Sequence, residues 1–305
     1  MGNDKTPLLI SVVGPTAVGK TKVAIALANK LKTEIISSDS RQFYREMEIG
    51  TAKPSMQDLL EARHHFINSL SVHDQYDVGE FEKDVMALLD DLFVKYNVVV
   101  MTGGSGLYCK AVWEGLDKFP KIPEEVREGL VSEFETKGLG NLLAELEEKD
   151  GEYFSKVDQR NPQRVIRALE VIRFSKKPFS SFQNQTKSDR PFKNIKIGIN
   201  LPRDVLYKRI DVRMDLMLTE GLIDEARGLF QQRKLNALQT VGYSEIFGFL
   251  EGKYDQEEAI RLLKRNSRRY AKRQLTWFKK DESIRWFHPS QEDEIFQEID
   301  KELNT

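Results

Sequence analysis

Eight consecutive residues near the start of the sequence have the types and spacing that bind phosphate groups. They match the pattern G-x-x-x-x-G-K-[ST] and follow an apolar segment that is typical of a β-strand. Glycines let backbone N–H groups surround an anion, the lysine adds a positive charge, and the last hydroxyl can bind Mg²⁺. A nucleotide such as ATP and any other ligand with a diphosphate group present the same kind of anion, so both fit this loop. Its residues are Gly14, Pro15, Thr16, Ala17, Val18, Gly19, Lys20 and Thr21.

The carboxylate of Asp39 is the second candidate for chemistry. Asp39 follows a short apolar segment that ends at Ser37, and the carboxyl end of that predicted strand would lie beside the phosphate loop. There the side chain could bind a metal ion through water or take a proton from a nucleophile. The alternative role is a helix N-cap, because aspartate and serine are favoured at that position.

The residues that a motor NTPase or a GTPase needs are missing from the sequence. The apolar segment 97–101 ends in Thr102 and Gly103 and not in an acidic Mg²⁺ ligand. Asp90 and Asp91 also follow apolar residues, but the spacing there is helical, so we place both on a helix surface. No guanine-reading Asn-Lys-x-Asp occurs. A second glycine-rich loop, which starts at Gly103, would allow close backbone approach at the same sheet edge.

Alternating strands and helices must position these residues. We predict strands at Leu8–Val13, Glu34–Ser37 and Asn97–Met101, one helix after Lys20 and another over roughly 81–92. This alternation indicates the α/β class, with a P-loop-containing parallel sheet core, a mostly helical insertion and a helical C-terminal part. Ligands of such sheets bind at the carboxyl ends of the strands.

A change of composition marks the predicted insertion. After the third strand the sequence becomes charged and helix-forming, with no clear strand until Ile195–Asn200. We therefore predict a helical insertion domain at 118–190 and a core domain formed by 1–117 and 191–305. Helices are expected to fill most of 203–280.

The composition indicates a folded protein of about two domains. The chain has 305 residues, 47 basic and 48 acidic side chains, and 40% hydrophobic residues. Its apolar runs are far shorter than the roughly 18 residues that a membrane span needs, so we expect no membrane partner. The single cysteine, Cys109, excludes an intramolecular disulfide framework and any multi-cysteine zinc site, and it favours a cytoplasmic setting. We expect a monomer.

A run of positive charge lies at residues 261–280, which contain no acid, whereas the last 25 residues are mainly acidic. Acid partners at i,i+4 are missing from the run, so we predict that it binds nucleic-acid phosphates. The alternative is a solvated helix face. The basic residues are Arg261, Lys264, Arg265, Arg268, Arg269, Lys272, Arg273, Lys279 and Lys280.

Seven sequence blocks occur in a fixed order along the chain. They are Gly14–Thr21, Asp39–Tyr44, Gly50–Pro54, Gly103–Tyr108, Asn161–Glu170, Val241–Tyr243 and Ala271–Phe278. Together they closely resemble the bacterial tRNA dimethylallyltransferases over nearly the whole chain. The combination is highly specific, whereas the phosphate loop alone indicates only a very large superfamily. The differences are mild: Val18, Phe43 and Ser105 replace a common serine, valine and threonine.

The resemblance implies a reaction and a role for several residues. A dimethylallyl group would pass from dimethylallyl diphosphate to N6 of the adenosine immediately 3′ of the anticodon, in tRNAs that read codons beginning with U, and diphosphate would be released. Asp39 would be the general base, Lys20 and Arg213 would neutralise the leaving diphosphate, and Thr21 would help to bind Mg²⁺. The adenosine would have to be flipped out of its stack. The residues implied to bind tRNA are Asp39, Ser40, Arg41, Gln42, Ser105, Arg127, Gln163, Arg164, Val165, Ile166 and Arg167.

Without the resemblance, two other functions are open. A P-loop small-molecule or nucleotide kinase would use Asp39 on an acceptor hydroxyl, but the basic run would then have no role. In a non-catalytic RNA-binding P-loop protein, Asp39 would have no functional role. For Arg164 and Arg167, the alternative to RNA binding is pairing with Glu170 on a helix surface.

The histidines and tryptophans carry weaker signals. His64 and His65 are adjacent, so they point to different sides of a strand or helix, and no third metal ligand is evident. We expect no catalytic metal there. Trp113, Trp277 and Trp286 are expected to be core or interface anchors, not base-stacking platforms.

Overall fold

The computed structural model describes residues 6–183 and 188–303, which divide into two compact units. Unit 1 comprises Met1–Glu114 and Asp189–Thr305, and unit 2 comprises Gly115–Ser188. Each unit has its own hydrophobic core. Both ends of the predicted core domain, and residues 184–187 of the predicted insertion, lie outside the described residues.

A parallel β-sheet forms the centre of unit 1. Its strands are β1 (Leu8–Val13), β2 (Ile35–Ser37), β3 (His64–His65), β4 (Val98–Gly103), β5 (Lys193–Ile199) and β6 (Arg285–Phe287). Within the described residues, the sheet has six strands in the order β3-β2-β4-β1-β5-β6, and all pairs are parallel. The central strands β1 and β4 are buried along their whole length, as expected of a sheet covered on both faces. The predicted α/β class with a parallel sheet is confirmed, and β3 and β6 are short strands that the sequence pattern did not reveal.

Among the described residues, four α-helices precede unit 2. They are α1 (Lys20–Leu31), α2 (Met56–Glu61), α3 (Val78–Lys95) and α4 (Gly106–Glu114). The Asp77 side chain caps α3, whose buried residues recur at helical spacing. Asp90 and Asp91 lie exposed on α3, so their placement on a helix surface is confirmed.

Unit 2 is helical. Its helices are α5 (Glu124–Lys137), α6 (Leu139–Lys149), α7 (Gly151–Lys156) and α8 (Pro162–Ser175), followed by a 3₁₀ turn at Phe179–Phe182. Helix α8 packs on α5 and α6, and it supplies most of the apolar residues of the core. Asn161 caps α8 and Pro162 occupies its first turn, which fixes where this helix begins.

The C-terminal part of unit 1 is mostly helical. Its helices are α9 (Arg203–Thr219), α10 (Leu222–Gly228), α11 (Tyr243–Leu250), α12 (Gln256–Phe278) and α13 (Glu292–Leu303). Helix α12 packs against α9, α11 and α4, so it connects the sheet to the C-terminal helices. No helix among the described residues is long and apolar enough to cross a membrane.

The basic run lies mainly on α12, and part of it is paired. Lys264 and Arg268 form ion pairs with Asp215 and Asp211 of α9, and Arg261 pairs with Glu258. The expectation that acid partners are missing is therefore wrong for these three residues: packing against α9 supplies the acids for Lys264 and Arg268, and α12 itself supplies Glu258 for Arg261. The acidic C-terminal helix α13 forms its ion pairs with Lys30, Arg285 and Lys301 instead.

Candidate functional site

A cavity of about 300 Å³ opens at the carboxyl edge of the sheet in unit 1. The phosphate loop after β1, the segment after β2 and the end of β4 contribute to it, as the fold class predicts. Helices α9 and α12 form other parts of its wall. Among its described lining residues, cationic side chains outnumber anionic ones, which favours an anionic ligand. The charged lining residues are Lys20, Lys22, Asp39, Arg41, Lys53, Asp58, Arg209 and Arg213.

The phosphate loop has the backbone that its glycines predict. Gly14 has φ +145°, and a Cβ there would lie 2.4 Å from the Ile199 carbonyl oxygen, so only glycine fits beside β5. Gly19 has φ +107° and directly precedes α1. The Lys20 Nζ donates to the Pro15 carbonyl oxygen at 2.8 Å, so its ammonium folds back over the loop. The loop thus places backbone N–H groups, a helix N-terminus and a cation together.

Asp39 and Lys20 lie on the same cavity wall with opposite charges. Burial raises the pKa of the Asp39 carboxyl above its usual range, while the Arg41 backbone N–H and the Lys20 ammonium act in the opposite direction. Burial lowers the pKa of the Lys20 ammonium to about 8, against the attraction of Asp39. The Asp39 Oδ1 accepts the Arg41 N–H at 3.1 Å, so Asp39 also caps its own turn. Both groups can therefore titrate closer to neutral pH than usual.

Arg213 reaches the phosphate loop from α9. Its Nη1 lies 3.4 Å from the Thr16 Oγ1, and burial, with the nearby charge of Arg209, lowers the pKa of its guanidinium. Arg209 lines the same cavity and was not predicted. Two arginines of one helix thus lie beside the loop, where an anion would be attracted to both.

Gln274 of α12 connects two loops of the site. Its Oε1 accepts the Thr16 N–H at 2.8 Å, and its Nε2 donates to the Gly104 carbonyl oxygen at 3.0 Å. A Cβ on Gly104 would lie 2.2 Å from that Nε2, so this glycine permits the contact. Ser105 in turn accepts the Ser40 N–H at 3.0 Å. The second glycine-rich loop therefore links α12 to the turn that holds Asp39.

Gln42 is held by the segment 49–53. Its Nε2 donates to the Thr51 and Ala52 carbonyl oxygens at 3.3 and 3.1 Å, and its Oε1 accepts from the Ser37 hydroxyl at 3.3 Å. The side-chain amide is therefore fixed in direction on the cavity wall.

Glu225 of α10 holds that segment in turn. Its carboxylate accepts the Glu48, Ile49 and Gly50 N–H groups at 2.8 to 3.0 Å and the Tyr243 hydroxyl at 2.6 Å. A Cβ on Gly50 would lie 2.6 Å from the Tyr243 ring, so the two motif blocks fit together through this glycine. No signal in the sequence distinguished Glu225 from other helix acids.

An apolar wall lies beside the cationic part of the cavity. It combines side chains of α9, α10 and α12. Its members were not predicted, since methionine and leucine in helices are usual core residues. They are Met214, Met217, Leu222 and Leu263.

The predicted site residues of unit 2 form a cluster of their own on α5 and α8. The buried Glu170 carboxylate accepts from Arg127 at 2.5 Å and from Arg167 at 3.1 Å, and Arg127 also donates to the Gln163 Oε1 at 2.8 Å. The side chains of Arg127 and Arg167 are 44% and 45% exposed, so each guanidinium is held on one side and open on the other. Arg164 is exposed.

Two predicted tRNA contacts in unit 2 need correction. Val165 and Ile166 are 0% and 1% exposed and belong to the hydrophobic core. Their side chains cannot touch RNA, because helical periodicity places them on the face of α8 opposite the arginines. The expectation treated the whole block 163–167 as a contact surface, whereas two of its five residues are core.

The two histidines of β3 have different partners. The His64 Nδ1 contacts the Ala62 carbonyl oxygen at 2.8 Å, and the His65 Nε2 contacts the Glu34 carboxylate at 2.5 Å. Within the described residues, no group of three or more His, Cys, Asp or Glu side chains could hold a metal ion. A cation in the cavity would therefore depend on ligand oxygens for much of its coordination.

Comparison with known proteins places this geometry among prenyl-transferring enzymes. The family model described as IPP transferase matches residues 42–281. A tRNA dimethylallyltransferase of Cytophaga hutchinsonii is 53% identical over 295 residues, with 97% of both chains covered. A tRNA dimethylallyltransferase of Christiangramia forsetii is 52% identical over 298 residues, 97% of this chain and 99% of that one. The crystal structure of the tRNA isopentenylpyrophosphate transferase of Bacillus halodurans matches with a TM-score of 0.73 at 36% identity, covering 98% of this chain and 97% of the other.

Proposed function

This chain belongs to the IPP transferase family, and from that premise we propose that it is a tRNA dimethylallyltransferase. It transfers a dimethylallyl group from dimethylallyl diphosphate to N6 of the adenosine 3′-adjacent to the anticodon, in tRNAs that read codons beginning with U. Diphosphate is the other product. The observation that carries the proposal is the cavity itself, which combines a cationic phosphate loop, a partly buried carboxylate and an apolar wall.

The cationic part of the cavity suits the diphosphate. The loop N–H groups, Lys20 and Arg213 would bind its oxygens and stabilise the charge that grows as the carbon–oxygen bond breaks. Such fixed charges need little rearrangement during the reaction, and this is why they contribute much of the rate. Arg209 would add a further positive charge.

Asp39 is suited to the role of general base. The adenosine N6 attacks the first carbon of the dimethylallyl group, the bond from that carbon to the diphosphate oxygen breaks, and Asp39 takes the N6 proton. Burial raises the pKa of Asp39 and so makes it a stronger base, while the Lys20 ammonium favours its ionised form. A partly buried carboxylate beside the cationic loop can therefore be basic enough to accept the N6 proton and still be ionised before the reaction.

The apolar wall would hold the hydrocarbon part of the substrate. Met214, Met217, Leu222 and Leu263 would exclude water from the allylic carbon while the diphosphate lies at the cationic end. A phosphoryl acceptor of a kinase would not need such a wall.

Mg²⁺ fits the residues that are present. Thr21 lines the cavity, and Mg²⁺ commonly takes one or two protein oxygens together with phosphate oxygens and water. When bound, the ion would neutralise diphosphate charge. We propose the Thr21 hydroxyl as its protein ligand, and we propose a cytoplasmic, monomeric enzyme.

The tRNA would enter at the turn that holds Asp39. The adenosine must leave its stack to reach this carboxylate. Ser40, Arg41, Gln42 and Ser105 surround the turn and would contact the loop nucleotides, and the half-exposed arginines of unit 2 would contact phosphates.

A labelling experiment tests the proposal. Anticodon stem-loop RNAs that carry adenosine or guanosine at the target position are incubated with Mg²⁺ and either labelled dimethylallyl diphosphate or γ-labelled ATP. We expect label from dimethylallyl diphosphate to appear only in the RNA that carries adenosine at the target position. Transfer of label from ATP, with none from dimethylallyl diphosphate, would show a kinase; RNA binding with no transfer from either donor would show a non-catalytic protein.

A further inference from the structure

Helix α12 carries one partly exposed tryptophan beside the cavity. Trp277 is 39% exposed, whereas Trp113 is 8% exposed and belongs to the core. The Trp277 ring lies against the start of α4, since a Cβ on Gly106 would be 2.1 Å from its Cδ1. The sequence-based expectation of an ordinary anchor explains this contact, but it does not explain why the rest of the indole is open to solvent.

The position of Trp277 relates it to the reacting group. Gln274, three residues earlier on α12, lines the cavity, so Trp277 lies about 4.5 Å further along the helix axis. Its contact residue Gly106 directly follows Ser105, which binds the turn of Asp39 through Ser40. The indole therefore contacts the same glycine-rich loop that holds the turn of the proposed base, one helical turn beyond the lining residue Gln274.

Positive charge surrounds this tryptophan. Arg273 lies one helical turn before it on α12, and Lys280 lies three residues after it in the turn that follows the helix; both are exposed. Within the described part of the chain, neither side chain forms an ion pair. An exposed aromatic ring between cations is the arrangement by which proteins bind single-stranded nucleic acid, with the base on the ring and the backbone along the charges.

We propose that Trp277 is a stacking platform for an unpaired base next to the flipped adenosine. The inference rests on the proposed function, because removal of the adenosine from its stack leaves a neighbouring base without a partner. An indole within reach of the cavity edge replaces that partner. The ligand is a nucleobase of the anticodon loop, recognised by its π-face and not by its hydrogen-bonding edge, so its identity matters little.

Binding measurements with matched variants test this inference. We expect Trp277→Leu to weaken binding of the anticodon stem-loop about tenfold or more, as for removal of one base–aromatic stack, and Trp277→Phe to recover most of the wild-type affinity. The slope of log affinity against log salt should stay as in the wild type, because stacking releases no counterions. Val94→Ala is the control: Val94 is 86% exposed near the end of α3, which leads into the amino edge of the sheet, opposite the site.

An abasic RNA locates the contact. In this RNA the base that stacks on Trp277, on one side of the adenosine, is removed. Wild type and Trp277→Leu should bind it equally. The intact RNA quenches the indole fluorescence of the wild type, and this abasic RNA should not. Equal affinity of folded Trp277→Leu and wild type for the intact RNA would overturn the inference, as would equal quenching by every abasic RNA. Prenyl transfer by the wild type is measured in the same series. Its absence would refute the proposed function, whereas its presence with unchanged Trp277→Leu affinity would refute only the stacking role.

Discussion

At the scale of single residues, two groups of opposite charge depend on each other inside the cavity. Burial shifts the pKa of Asp39 upward and that of Lys20 downward to about 8, and each charge partly offsets the shift of the other. Both must be ionised for the proposed reaction, Asp39 to accept a proton and Lys20 to attract diphosphate. Their joint ionisation should therefore limit the pH range of activity.

Replacing Asp39 should separate binding from catalysis. We expect Asp39→Asn to lower kcat by about 10²–10⁴, the usual effect of a missing general base, while RNA and diphosphate affinities stay within several-fold. The measurement is single-turnover prenyl transfer at saturating substrates. The matched control is Asp91→Asn, which removes an exposed carboxylate from α3. Wild-type turnover in Asp39→Asn would exclude the proposed role.

The pH dependence of kcat/KM for dimethylallyl diphosphate should be bell-shaped. Activity should rise as pH increases through the raised pKa of Asp39, because the base must lose its proton. It should fall as pH increases through about 8, because Lys20 then loses its charge in the free enzyme. In Lys20→Arg the alkaline decline should disappear, since a guanidinium stays protonated. A wild-type profile that is flat from about pH 7 to 9.5 would contradict the assignment to Lys20.

At the scale of elements, α12 has two functions on two faces. Its buried side links the phosphate loop to the second glycine-rich loop through Gln274. Its exposed side carries Arg269, Lys272 and Arg273, for which the described residues provide no acid partner. The same helix thus fixes two loops of the cavity and presents positive charge to solvent.

Salt titrations should distinguish the free from the paired cations of α12. Replacing Arg269, Lys272 and Arg273 with glutamine should weaken the binding of all tRNAs to a similar extent. The slope of log affinity against log salt should become less steep by roughly 0.7 to 0.9 for each phosphate that is no longer neutralised. The control replaces Lys264 and Arg268, which pair with acids of α9. That variant should change the melting temperature more than the salt slope. Equal salt slopes in the triple variant and wild type would mean that RNA follows another path.

Removal of the Gln274 link should affect both stability and the diphosphate site. Gln274 is 6% exposed, so Gln274→Ala leaves the Thr16 N–H and the Gly104 carbonyl without their partner. We expect a decrease of about 1–3 kcal/mol in the free energy of unfolding, together with a higher KM for dimethylallyl diphosphate. Urea unfolding and steady-state kinetics measure the two effects. An unchanged KM in a destabilised variant would limit Gln274 to a structural role.

At the scale of the whole molecule, the two units have separate hydrophobic cores. No residue of Gly115–Ser188 belongs to the core of unit 1 among the described residues. The chain leaves unit 1 at the end of α4 and returns beside it, because Arg190 donates to the Ala111 carbonyl oxygen and to Glu82. A short linker can therefore join Glu114 to Asp189.

Replacing Gly115–Ser188 with a glycine–serine linker should leave unit 1 folded. We expect a cooperative thermal transition and retained binding of dimethylallyl diphosphate, because the cavity is lined by unit 1 alone among the described residues. RNA affinity should fall, since Arg127, Arg164 and Arg167 are removed. Calorimetry and equilibrium binding provide the measurements, and full RNA affinity in the shortened chain would argue against any contact by unit 2.

The sequence by itself determined the α/β class, the phosphate loop, Asp39 after β2 and the family. These features depend on hydrophobic periodicity and on glycine positions, which involve residues that are close together in the chain. Tertiary structure alone decided that Lys264 and Arg268 of α12 are paired, since their acids lie about fifty residues away on α9. It also decided that Val165 and Ile166 are core, that Glu225 holds the 49–53 segment, and that Trp277 remains exposed. These outcomes depend on which helix faces pack against each other, and the positions of the residues along the chain do not show those contacts.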